Sequence, residues 1–254
     1  MLRRGVVAPL LAGCLALALS LGLGRAAAIA APDGGRAART TTLAVLYFDY
    51  SGHDASLEAL RKGLAQMLIS DLAAVDRLQV VERDRLQALL DEQKLARSGK
   101  TDASTAARIG KLLGARYLVL GSYFDAMGAF RVDARLVDVE TGQILKSVGA
   151  NGKADDFLGL EQTLAEGLKR AALEIPSTSA GHGAGTVVPA GASGRRPAPA
   201  APRRLKTETA LVYSRALVAL DDGDRKTAQS LFKKVLSAQP DFELAQRDLN
   251  KLVQ

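Results

Sequence analysis

Between Leu43 and Ile175 the spacing of apolar residues keeps switching between two patterns, and this alternation narrows the possible folds more than anything else in the chain. Leu43 to Tyr50 is a short apolar run of the kind a buried strand needs. Leu57, Leu60, Leu64, Met67, Leu68 and Leu72 then recur at helical spacing, with Asp54 or Ser56 placed to cap the helix. Leu78 to Val81 reads as a second strand. Asp84 opens a helix that turns Leu86, Leu89 and Leu90 inward and ends at Ser98-Gly99. A third helix, capped near Asp102 or Ser104, carries Ala106, Ile109 and Leu113 and closes at Gly114. Tyr117 to Tyr123 is a strand buried on both faces. The segment Phe130, Val132, Ala134, Leu136 and Val137 then alternates, passes Thr141-Gly142 and resumes at Ile144, Leu145 and Val148, which predicts an antiparallel hairpin. A last helix begins at Asp155 or Asp156 and shows Phe157, Leu160, Leu164, Leu168, Ala172 and Ile175. The order β-α-β-α-α-β-β-β-α predicts an α/β domain over residues 41–175: a single mixed sheet of about five strands flanked by helices, with the hairpin extending its edge. With so complete a set of apolar faces, this stretch is expected to fold without the rest of the chain.

What precedes the domain reads as an export signal. Arg3 and Arg4 are followed by an apolar run from Gly5 to Gly24, and Ala28-Ile29-Ala30 forms a small-x-small site before Ala31. A membrane anchor is the competing reading, but Pro9 and several glycines interrupt the run. Residues 1–30 are therefore expected to be a signal peptide cut after Ala30, and 31–40 a flexible tail. Leu11-Ala12-Gly13-Cys14 also looks like a lipobox, with Cys14 as the lipidation site. The residues after Cys14 are apolar where a lipoprotein tether is polar, so cleavage at Ala30 is the preferred expectation. Cys14 is the only cysteine, which excludes an intramolecular disulfide.

The net charge of +7 does not sit on a folded face. Residues 41–175 hold 17 basic and 19 acidic side chains, and residues 207–254 hold seven of each. The excess lies before Thr41 and in residues 176–206, a Pro/Ala/Gly/Arg linker with five bases and no acid. With no Trp and few aromatics to stack bases, nucleic acid is not an expected partner. After the linker, residues 207–254 form a small helical unit that resembles a tetratricopeptide repeat. Gly223-Asp224 separates two helices, with Ala216, Ala228, Phe232 and Pro240 at the repeat's spacings, while Arg215 and Ala219 depart from them. A further amphipathic helix (Phe242, Ala245, Leu249, Leu252) can cap it. One repeat buries too little to stand alone, so it needs the main domain, a second copy or a partner against it. The length of the linker is expected to let it reach away from the sheet.

The segments Leu43-Ala44-Val45-Leu46-Tyr47-Phe48, Val80-Val81-Glu82-Arg83, Ala106 through Ser122 and Ala134 through Ile144 together resemble the CsgG-like family of envelope proteins. The resemblance implies a periplasmic or outer-membrane-associated location. Secretion pores of that family insert two long hairpins per subunit. Here only Asp125 to Gly128 joins the third strand to the fourth, and Gly152 to Ala154 leads into the last helix, so no membrane barrel is expected from this chain. The expected function is non-enzymatic: an envelope assembly or adaptor protein that binds other envelope proteins and has a second copy of itself as a further possible partner. The alternative is a lipidated outer-membrane component of a curli-type secretion or surface-assembly system. No catalytic, metal or cofactor motif survives inspection. Ser98-Gly99-Lys100-Thr101 lacks the first glycine of a phosphate loop, Lys94 standing in its place. His53 and His182 stand in a loop and in the linker, and Asp155-Asp156 is accounted for as a helix N-terminus.

Overall fold

The computed structural model describes residues 40–93, 103–153, 155–175 and 205–253. The leader with Cys14 and Ala30, the stretch around Ser98-Gly99 and most of the residues read as linker, with His182, lie outside them. The strands are β1 (Thr41–Val45), β2 (Asp49–Tyr50), β3 (Leu78–Val80), β4 (Tyr117–Ala126), β5 (Ala129–Asp138) and β6 (Ile144–Lys153). The helices are α1 (Leu60–Ala73), α2 (Arg83–Glu92), α3 (Ala103–Leu113), α4 (Phe157–Glu174), α5 (Thr207–Asp221), α6 (Arg225–Ala238) and α7 (Glu243–Val253). The strands form one mixed sheet ordered β3-β1-β4-β5-β6, with β2 also pairing with β4. β1 runs parallel to β3 and β4, and β4-β5-β6 is an antiparallel meander. This is the α/β architecture that the alternation predicts.

The single strand expected from Leu43 to Tyr50 is broken in two. At Phe48 the carbonyl accepts a hydrogen bond from Arg61 Nε at 2.8 Å, so a side chain of α1 holds the backbone where the strand is interrupted. Cap assignments fare better. Asp156 accepts from Gly159 N at the start of α4, while Asp54 accepts from Ser56 N and so caps the short 3-10 turn Ala55–Leu57 ahead of α1, whose own N-terminus at Ala59 has no side-chain cap.

Each face of the sheet has its own core. On one side Ala44, Leu46 and Leu118 meet Leu86, Leu90, Ile109 and Leu113 of α2 and α3. On the other, Val45, Phe48, Val119, Phe130 and Val132 meet Leu64 and Leu68 of α1 and Leu160 and Leu164 of α4. That second core does not stop at residue 175. Ala210, Tyr213 and Leu217 of α5, and Phe232 and Val235 of α6, belong to the same buried cluster. Residues 41–175 therefore do not close their own core, because α5 lies on α1 and completes it. The helical unit does not reach away from the sheet, and Leu205, at the end of the stretch read as linker, is fully buried.

Candidate interaction surface

The six residues that carry the repeat pattern fall on α5, α6 and their turns. Ala216, Ala228 and Phe232 are fully buried, and Tyr213 packs against both Phe232 (centroids 5.9 Å) and Phe242 (5.0 Å, edge-on). Gly223 takes a φ of 80° between the two helices, a conformation disfavoured for any residue with a Cβ. Asp224 caps α6 by accepting from Thr227 N at 3.0 Å. Pro240 is exposed in the turn before α7. The polar side of α7, with Gln246, Arg247 and Asn250 exposed, ends the array as a cap does. The neighbour that a lone repeat needs is α1.

Two features of the α1–α5 contact escaped the sequence pattern. Gly63 lies directly against Ser214: a Cβ built on Gly63 would overlap the serine Oγ and come within 3.1 Å of its Cβ. That Oγ is buried and donates to the Ala210 carbonyl at 2.7 Å. Beside this contact, Asp221 accepts from Arg83 Nη1 at 2.7 Å and pairs with Lys62 Nζ at 2.6 Å, the carboxylate and the guanidinium both being almost fully buried. Arg83 also reaches Asp84 at 2.9 Å. Tyr47, beneath Lys62, donates to Gln87 Oε1 at 2.8 Å, and burial raises its phenol above the usual range. The helix bounds show why the two charges need each other. Arg83 is the first residue of α2 and Asp221 the last of α5, so each charge sits at the helix end whose dipole opposes it. Such placements are stable when the two charges offset each other.

The pair forms one wall of a cleft of about 320 Å³, lined also by Glu82, Asp84, Arg225, Asp248 and Lys251. The charges alternate in sign, and the Nε of Arg83 has no hydrogen-bond partner. Asp248 accepts from the Tyr213 hydroxyl at 2.7 Å, and burial raises its pKa despite that bond. Such a lining can recognise a polar protein surface. It holds no nucleophile–base pair, and His53 is exposed in the loop before α1. Among the described residues, no three His, Cys, Asp or Glu side chains come together as metal ligands.

Residues 39–126 match the family model described as curli production assembly/transport component CsgG. This stretch is a CsgG-family domain. The match runs from the entry of β1 to the last residue of β4, and so includes Arg83, whereas β5, β6, α4 and the whole helical unit lie beyond it. No curated protein matches the chain. Among solved structures, the LpoB C-terminal domain from Salmonella enterica is 19% identical, with 45% of this chain covered, 84% of that one and a TM-score of 0.37. The lipoprotein GNA1162 from Neisseria meningitidis is 14% identical, with 53% and 97% covered and a TM-score of 0.38. The PelC dodecamer from Paraburkholderia phytofirmans is 13% identical, with 52% and 88% covered and a TM-score of 0.31. At these values none of the three structures adds to the argument from the CsgG-family domain. No helix among the described residues is long and apolar enough to cross a membrane.

Proposed function

We propose that this chain is a non-enzymatic adaptor of the bacterial cell envelope, exported by residues 1–30, that binds envelope proteins in the periplasm or at the outer membrane. The observation that carries the reading is the CsgG-family domain with α5–α7 fixed on its first helix. A domain of that family supplies location and assembly. The helical unit offers a second surface held in constant relation to it, which is what joining two partners requires. Recognition is assigned to the exposed side of α7 and the charged cleft beside it. These present Arg247, Asn250 and Lys251 without disturbing the core.

The test is crosslinking in the intact envelope followed by purification of the adducts. Arg247→Glu combined with Asn250→Arg should remove the adducts made by the wild-type chain, while Arg108→Glu, exposed on α3, should leave them in place. Adducts that survive the α7 substitutions and disappear with Arg108→Glu would move recognition to the sheet domain. Recovery of the chain in the cytoplasm alone would end the envelope reading itself.

A further inference from the structure

β4 and β5 are joined by two residues only, Met127 and Gly128, with φ values of 47° and 78°. Positive φ at both central positions is the geometry of a type I′ hairpin turn, which favours Asn, Asp or Gly at the first of them. Methionine has a Cβ that this region penalises, and no polar side chain to recover the loss through a local hydrogen bond. Met127 is the one non-glycine residue with positive φ among those described, and its side chain is fully exposed. Ala126, Gly128 and Ala129 beside it are exposed too, so the tip carries no charge, and Phe124 is exposed three residues back on the same hairpin. A turn built for stability and solubility would place Asn-Gly here. This one gives up both for an apolar knob.

The occupant follows from shape and charge. The knob is convex, and two clefts among the described residues are lined chiefly by charged and polar side chains, which do not match an apolar knob on a second copy. A lipid bilayer needs no complementary socket. Lys153, exposed and paired in register with Ala129 across β5 and β6, stands where it can meet a lipid phosphate, and Arg131 lies two residues behind the tip, partly offset by Asp133. The acid nearest the tip, Asp125, is engaged by the Tyr50 hydroxyl. We infer that the β4–β5 tip is a membrane-contacting device, in which Met127, flanked by Ala126 and Ala129, enters the interfacial region of a phospholipid bilayer while Lys153 stays at the headgroups. The contact is shallow and reversible. It rests on the envelope reading for its place in the cell, but its physical test does not depend on export.

The chain contains no tryptophan, so Met127→Trp introduces a single reporter. The chain beginning at Ala31 is mixed with vesicles of phosphatidylethanolamine and phosphatidylglycerol at three to one. Indole emission from the Met127→Trp chain should shift to the blue and be quenched by brominated acyl chains, whereas Gln246→Trp, exposed on α7, should show neither effect. In sedimentation with the same vesicles, Met127→Asp should lower the bound fraction at least tenfold. Met127→Gly should lower it as well, yet unfold at a higher urea concentration than wild type because the turn is relieved. Emission of the Met127→Trp chain unmoved by lipid, or equal binding by wild type and Met127→Asp, would overturn the inference and assign the knob to a protein socket. Cytoplasmic recovery of the chain would refute the envelope reading while leaving the vesicle result intact.

Discussion

Gly63→Ala is the substitution whose sign distinguishes a docked helical unit from a detached one. In an exposed helix the change removes the entropic penalty of glycine and stabilises by about 1 kcal/mol. Here the new methyl would overlap Ser214 Oγ and crowd its Cβ at 3.1 Å. The serine cannot swing aside without giving up its bond to the Ala210 carbonyl inside a closed contact. Overpacking of this kind costs about 1–3 kcal/mol, and a lost buried hydrogen bond about 1 kcal/mol more. The steric terms outweigh the helical gain, and the expected net loss is about 1–3 kcal/mol. Ser214→Ala removes the overlapping oxygen, so Gly63→Ala with Ser214→Ala should recover most of that loss. The cycle should show a coupling of about 1 kcal/mol or more. Urea unfolding followed by circular dichroism, on the chain from Ala31, measures all four corners. A stabilising Gly63→Ala, or two effects that simply add, would show that α1 and α5 do not touch in solution, and the shared core would be refuted with them.

Three further outcomes are expected. Asp221→Asn strips the partner from the buried Arg83 and from Lys62 and should cost about 3–5 kcal/mol, against less than about 0.5 for the exposed neighbour Asp222→Asn; similar values for both would mean the pair is not buried. Glu161 of α4 is 1% exposed with one oxygen unpartnered, and burial first, then Asp71 of α1, raises its pKa well above 4.5, with Lys169 opposing. The fold therefore favours the protonated form, a contribution complete below pH 4.5 and lost as the pH rises toward the folded-state value, so Glu161→Gln should gain on wild type across that window, and a pH-independent difference in urea midpoints would refute it. Intact mass of envelope-extracted protein should correspond to a chain beginning at Ala31; a diacylated Cys14 start would establish the lipoprotein alternative.

Local features of the chain were legible where one element decided its own outcome. Alternation from Phe130 to Val137 gave β5, and Asp54, Asp156 and Asp224 cap the segments they precede because a cap depends on residues two or three positions away. The two-residue turn at Met127-Gly128 was narrower than the loop expected from Asp125 to Gly128, since Met conceals a turn that Asn or Gly would announce. The docking of α5 was invisible for a different reason. Gly63 within a leucine-rich helix reads as a local weakness until Ser214, far along the chain, is known to face it. Arg83 stands one residue before Asp84, where the sequence opens the helix, and only the structure makes it the first residue of α2 and so a charge in need of an opposing one. Periodicity reports which face of an element is apolar, but not which distant element will cover it.

The ion pair between Lys62 and Asp221 spans 159 positions of sequence. A chain emerging from its N-terminus, whether from a ribosome or through a translocase, can thus lay down β1 and α1 early yet must leave the outer side of α1 open until α5 arrives. During that interval the molecule exposes Gly63 and the apolar ridge around it. Arrival of α5 thereby acts as a check on the sheet domain: a copy cut short after α4 keeps a sheet but displays the uncovered helix, the kind of surface that chaperones and proteases recognise.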